Sequence, residues 1–181
     1  MRRLDTRLSG SVLIEGVVHG DARGFFTESY RRDAFADLGV SDEFVQDNHS
    51  RSARGVLRGM HYQVGQAKLV RCPRGSILDV VVDLRRGSPT FGEWEGHELT
   101  DENARQLYVP SGFAHGFCVT SELADVVYKV STYYDPSAEA TLAYDDPDVG
   151  IEWPQIDLQL SERDRSAPRL AEVAESLPFS Y

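Results

Sequence analysis

His61 is well suited to moving a proton, because an imidazole with an ordinary pKa near 6.5 accepts and releases one near neutrality. Around it the sequence gathers charge of one sign. Residues 51–74 hold Arg51, Arg54, Arg58, Lys68, Arg71 and Arg74 and no carboxylate, in a chain of 181 residues whose formal net charge is −10. A local positive field in an acidic protein suits a small anionic ligand, whereas a nucleic-acid binder would be basic over a wider surface. Among the 19 basic residues only Lys68 and Lys129 are lysines. In a chain that prefers arginine, a lysine beside the histidine segment suggests a compact ammonium acting as a point charge, work that a planar guanidinium does differently. Tyr128 and Tyr134 fall on one face of an unbulged strand, so two phenols can look into one cavity.

These groups need a scaffold, and the pattern around them is one of short strands separated by turn residues. Strands are expected at 12–14, 24–30, 55–63, 69–72, 77–84, 106–109, 116–120 and 125–133. Helical signals are confined to 31–38, stopped by Gly39, and to 168–177, with a capping turn at Ser161–Asp164. The fold class is therefore all-β, a jelly-roll sandwich or barrel with a few short helices mainly near the C-terminus. With no repeat, linker or low-complexity segment, residues 1–181 read as a single domain large enough to bury a core. Strand alternation in 57–63 puts Arg58, Met60 and Tyr62 on one face and Leu57, His61 and Gln63 on the other.

The remaining composition narrows the setting. No stretch has the length of a signal peptide's apolar core or of a membrane span, which implies a soluble, cytoplasmic protein with no membrane partner. Cys72 and Cys118 both sit in apolar surroundings, so two buried thiols are expected in place of a disulfide, and no CxxC pair suggests zinc.

Pro110-Ser-Gly112-Phe-Ala-His115, a P-x-G-x-x-H turn between two apolar strands, resembles the second motif of the cupin jelly rolls, where the histidine enters the barrel mouth. The first cupin motif needs an H-x-H pair, and here the corresponding place reads His61-Tyr62-Gln63. A metal-dependent cupin would have to use His49, His61 and His115 together.

A more specific likeness runs along most of the chain. Gly20-Asp-Ala-Arg23-Gly-Phe-Phe26-Thr-Glu28, Phe44-Val-Gln46-Asp47-Asn48-His49, Val56-Leu-Arg58-Gly-Met-His61-Tyr-Gln63, Lys68-Leu-Val-Arg71, Ser88 to Trp94, Pro110 to Phe117, Tyr128-Lys129 with Tyr133-Tyr134, and Gly150 to Pro154 occur in this order. In this the chain resembles the dTDP-4-dehydrorhamnose 3,5-epimerase family. The resemblance implies a jelly-roll homodimer without cofactor or metal, acting in dTDP-L-rhamnose biosynthesis. The implied reaction inverts C3 and C5 of dTDP-4-dehydro-6-deoxy-D-glucose.

That chemistry explains the residue types. Both carbons flank the C4 ketone, so removing either proton gives an enolate, and reprotonation from the opposite face inverts the centre. By resemblance His61 is the base, Asp164 orients it, Tyr128 is the acid, Tyr134 assists, and Lys68 meets the charge developing on O4. Also by resemblance, Arg23 and Arg58 contact the diphosphate, Arg71 being a weaker candidate, while Phe26, Glu28, Gln46, Asp47, Asn48, His115, Glu139 and Arg163 are substrate-binding positions. Two departures from the family are visible. Arg163 stands where the family often has lysine, and the connection from Gln63 to Lys68 is short. Sister epimerases that act only at C3 or only at C5, and a non-catalytic sugar-nucleotide binder, remain alternatives.

Overall fold

A computed structural model describes residues 1–181. The strands are β1 (Arg2–Leu4), β2 (Val12–Glu15), β3 (Val18–Asp21), β4 (Gly24–Thr27), β5 (Gln46–Ala53), β6 (Leu57–Gln63), β7 (Lys68–Arg74), β8 (Ser76–Asp83), β9 (Trp94–Thr100), β10 (Arg105–Val109), β11 (Phe113–Val119), β12 (Leu123–Val130) and β13 (Glu139–Thr141). The helices are α1 (Arg32–Asp37), α2 (Glu162–Arg165) and α3 (Leu170–Val173), the last continued by a 3-10 turn, Ala174–Ser176.

Two antiparallel sheets face each other, one of six strands in the order β1-β2-β10-β7-β12-β5 and one of five in the order β13-β6-β11-β8-β9. The hairpin β3–β4 pairs with neither. Between the sheets, alternate residues of the strands interdigitate: Leu13, Val70, Cys72, Ile77, Val81, Leu99, Leu107, Phe113, Phe117 and Val126 form a buried apolar layer. Each sheet is also covered on its outer face. Leu57, Met60, Tyr62, Val80 and Val82 pack under Trp153, Leu170, Leu177 and Phe179 of the C-terminal segment, while Val12, Ile14, Leu69 and Tyr108 pack under Phe35 and Val40. Strands covered on both sides read as continuous apolar runs, which is why Ile77–Leu84 is so conspicuous in sequence.

The expected elements are present with shifted ends, and the strands at 2–4, 18–21, 46–53, 94–100 and 139–141 add to them. The added strands are polar or lie at edges, where alternation is weak. Both cysteines are free and buried. No helix is long and apolar enough to cross a membrane.

The alternation expected in β6 is overturned. Arg58 lines the same cavity as His61, while Leu57 joins Met60 and Tyr62 in the outer layer. The pairing with β11 explains it: His61 is opposite His115 and Arg58 is opposite Phe117, so two residues of β6 face one of β11. This bulge inverts the phase of the strand. It needs Gly59, whose φ is +141° and where a Cβ would lie 2.5 Å from the Gly116 Cα.

Candidate active site

At one end of the intersheet space the apolar layer gives way to polar side chains around a cavity of about 370 Å³. The five-stranded sheet and its edge supply Arg58, His61, His115, Phe117 and Glu139; the six-stranded sheet supplies Gln46, Asn48, Ser50, Lys68 and Tyr128. Gln66, in the turn between β6 and β7, and Tyr134, just beyond β12, close the lining. A larger groove of about 1350 Å³ runs along residues 144–158. It is lined by Asp145, Asp146, Glu152 and Asp157 without a cation, so it does not suit an anionic ligand.

His61 Nε2 lies 2.7 Å from Asp164 Oδ1. Asp164 is delivered by α2, where Ser161 caps the turn by accepting from its backbone N–H at 3.1 Å. Burial pushes the carboxyl upward in pKa, but the hydrogen bond and charge of His61, the Gly59 N–H and Ser161 outweigh it and hold Asp164 below the usual carboxylate range. An ionised carboxylate only accepts, so Nε2 carries the ring proton and Nδ1 is left as the basic atom.

Lys68 begins β7, is 9% exposed, and donates from Nζ to the His61 carbonyl oxygen at 3.3 Å. Burial pushes its pKa down to about 8, against the pull of Glu139 and Asp79. Tyr128 faces the cavity from β12. Burial and the nearby Glu139 raise its pKa while Arg58 lowers it, and the net shift is upward, so the phenol stays protonated at neutral pH. His115 holds Asp79 at 2.8 Å through Nε2. Glu139 Oε2 accepts from Tyr134 OH at 3.2 Å and from Arg163 Nη1 at 2.5 Å.

The cavity thus assembles His61, Lys68, His115, Tyr128, Tyr134, Arg58, Gln46, Asn48 and Glu139, with Asp164 and Arg163 directly behind. Other candidates lie elsewhere. Asp47 faces outward on β5 and pairs with Lys129 at 2.9 Å, because strand alternation turns its side chain away from those of Gln46 and Asn48. His49 shares that outer face and sits near Asp125 at 3.5 Å, so a three-histidine centre with His61 and His115 does not form. Arg23 pairs with Asp21 in the β3–β4 hairpin, Phe26 is 70% exposed there, and Glu28 lies near Arg31. None of the three lines the chain's own cavity. Of the six cations in 51–74, only Arg58 and Lys68 reach it. Arg51 instead grips Asp125 at 2.6 and 2.8 Å, and Arg71 lies on the outer side beside Phe25 and Arg105.

Sequence reasoning passed over Asp79, Gln66 and Ser50. A lone carboxylate within the apolar run Ile77–Leu84 is a readable signal for Asp79, since a buried charge needs a partner. Nothing local marks Gln66 or Ser50.

A jelly-roll barrel that opposes an oriented imidazole to a phenol across a polar cavity, with an ammonium between the strands that carry them, defines a proton-transferring isomerase of the cupin type. The family profile described as dTDP-4-dehydrorhamnose 3,5-epimerase matches residues 5–172, and the chain belongs to this family. The dTDP-4-dehydrorhamnose 3,5-epimerase of Pseudomonas aeruginosa is 53% identical over 166 residues, covering 90% of this chain and 92% of that protein. A dTDP-4-dehydrorhamnose 3-epimerase of Streptomyces niveus is 45% identical over 160 residues, 86% and 77% of the two chains. The crystal structure of the Legionella pneumophila 3,5-epimerase in complex with dTDP-4-keto-L-rhamnose superposes with a TM-score of 0.95, at 46% identity, covering 99% of this chain and 98% of that one.

Proposed function

We propose that the protein inverts both C3 and C5 of dTDP-4-dehydro-6-deoxy-D-glucose, as a dTDP-4-dehydrorhamnose 3,5-epimerase of dTDP-L-rhamnose biosynthesis that uses no cofactor. The observation that carries this reading is that His61 and Tyr128 enter one cavity from opposite sheets, as a base and an acid must if a proton is to leave one face of a ring and return to the other. His61 Nδ1 takes the proton from the carbon beside the ketone, and Asp164 stabilises the imidazolium so formed. The electron pair moves to O4, where the Lys68 ammonium meets the developing charge in a largely dry site. Tyr128 then protonates the carbon from the opposite face and is left as a phenolate, which Arg58 favours.

Arg58 supplies a guanidinium fork for the diphosphate, and Gln46, Asn48, His115 and Glu139, the last held by Arg163, supply polar contacts to the sugar and nucleotide. The protein acts as a homodimer of one-domain chains in the cytoplasm. What supports the dimer is the hairpin β3–β4: it pairs with neither sheet, and it exposes Phe25 at 66% and Phe26 at 70%, an apolar surface that a partner would cover. Seated over the partner's cavity, the hairpin would bring Arg23, Phe26 and Glu28 to the nucleotide.

Incubation with the 4-keto sugar nucleotide in D2O tests the reading. Deuterium at both C3 and C5 of an inverted product is expected. Uptake at one carbon would assign a C3-only or C5-only sister enzyme, and no uptake would leave a sugar-nucleotide binder.

A further inference from the structure

The residues that follow β12, 131–135, belong to neither sheet and carry Tyr134 to the rim of the cavity. Three amide side chains fasten this segment. Gln63 Nε2 donates to Thr132 Oγ1 at 3.2 Å and to the Tyr133 carbonyl at 3.2 Å, while its Oε1 accepts from the Asp135 N–H at 3.2 Å. Gln66 Nε2 donates to the same Thr132 Oγ1 at 3.3 Å and to the Thr132 carbonyl at 3.4 Å. Gln46 Oε1 accepts from the Tyr134 N–H at 3.2 Å. Gln63 and Gln66 are only 7% and 8% exposed, so these bonds are made away from competing water, where an unmet donor is costly.

The arrangement links moving parts of one reaction. Gln63 ends the strand that carries His61, Gln66 lies two residues before Lys68 in the short β6–β7 turn, and Thr132 lies four residues beyond Tyr128. The two buried amides converge on one threonine hydroxyl. Loss of that hydroxyl would remove one bond from each of the two amides at once, leaving the segment bearing Tyr134 more loosely fastened.

Proton accounting says when such a fastening matters. One inversion moves a proton from carbon to His61 and another from Tyr128 to carbon, leaving an imidazolium and a phenolate. A second inversion at the other carbon requires both to return to their starting states, the imidazolium losing a proton and the phenolate gaining one. The half-reacted sugar must stay bound meanwhile. An enzyme that inverts a single carbon has no such requirement.

We propose that Gln63, Gln66 and Thr132 form a clasp that holds Tyr134 over the cavity and so retains the singly inverted sugar nucleotide until its second inversion. The three are positioning residues that set the ratio of singly to doubly inverted product, a role that presupposes the epimerase activity proposed above. Thr132→Val keeps the shape of the side chain and removes the hydroxyl; Thr132→Ser keeps the hydroxyl. Products of the full-length proteins acting on dTDP-4-dehydro-6-deoxy-D-glucose in D2O are resolved by NMR. Thr132→Val should raise the released fraction of singly inverted product by about fivefold or more, the worth of roughly one hydrogen bond in a partition ratio. Its rate of first deuterium uptake should stay within about twofold of the parent, and Thr132→Ser should restore the parent ratio.

An unchanged ratio in Thr132→Val, a serine variant that behaves like valine, or a parent protein that itself releases mainly singly inverted sugar would overturn the clasp while leaving an epimerase. A parent that exchanges no carbon-bound proton would instead overturn the activity, and the clasp with it. If thermal melting shows Thr132→Val unfolded, Gln66→Met reads the same ratio with the Gln63 contacts intact.

Discussion

The floor and the rim of the cavity are built in different ways. Floor residues sit on strands whose register fixes them: His61 is paired with His115 across β6 and β11, and Tyr128 with Val70 and Lys68 with Val130 across β7 and β12. His61 and Lys68 are also backed by buried layers on the far side of their sheets. Rim residues lie on a loop, a short edge strand and a one-turn helix, namely Tyr134, Glu139 and Arg163, and they are held by side-chain hydrogen bonds to one another. The floor can therefore keep reacting atoms in place without substrate, while the rim can yield to let substrate in. Loss of a floor group should cut the chemical step, and loss of a rim group should change affinity or product partition.

The strongest break falls on the base. His61→Ala should reduce deuterium exchange at both carbons by about 10⁴-fold, the upper end of what a general base supplies, with nucleotide affinity in calorimetry nearly intact. Exchange at the parent rate would remove His61 from its role. Tyr128→Phe should cost about 10²–10³-fold in inversion and uncouple it from exchange, because the imidazole can still remove a proton and return it to the same face. Full inversion in that variant would reassign the acid.

Lys68 sharpens the comparison, because the floor accepts instability for function there. Lys68→Met should lower kcat by about 10²–10³-fold, the usual cost of losing a preorganised charge at a developing oxyanion. In the parent the rate should fall as pH rises through about 8, where Lys68 loses its ammonium. Its folded pKa lies below that of an unfolded lysine, so between about 8 and the ordinary lysine value the unfolded chain binds a proton that the native chain does not. Stability from this group accordingly rises with pH across that window, and at neutral pH the buried ammonium is a cost. The methionine variant should be more stable at pH 7 by about 1–3 kcal/mol, less whatever attraction to Glu139 and Asp79 is lost. A destabilised variant would show that those attractions dominate.

The two regions also differed in how much the sequence disclosed. Apolar runs such as Ile77–Leu84 and the turn at Pro110–His115 announced the strands beneath the floor, and His61 stood out by its type and its neighbours. Its partnership with Asp164, 103 residues away, carried no local signal and came from resemblance alone. Alternation failed at Arg58 because a bulge depends on the facing strand, which single-strand periodicity cannot see. The cluster of cations in 51–74 overstated the cavity's charge for a related reason: on a strand, neighbours in sequence point to opposite faces. The rim was least legible. Glu139 lies on a three-residue edge strand, and the amides that hold residues 131–135 look in sequence like ordinary loop residues.

The finest test separates two consecutive residues of α2. Asp164 is buried behind His61, whereas the Arg163 side chain, 48% exposed, reaches out to Glu139 on the rim. Its guanidinium donates to Glu139 Oε2 and, at 3.5 Å, to the Glu139 carbonyl, a two-pronged contact that an ammonium cannot copy. Arg163→Lys keeps the charge and loses the fork. Because the Arg163 end of the pair is half open to solvent the contact is worth little, about 0.2–1 kcal/mol, so KM should rise by no more than about two- to fivefold with kcat unchanged. A collapse of kcat in steady-state kinetics would mean that Arg163 steadies Asp164 and belongs to the floor after all. An unchanged KM would mean that the carboxylate of Glu139 keeps its place through Tyr134 alone, leaving the phenol as the rim's true anchor.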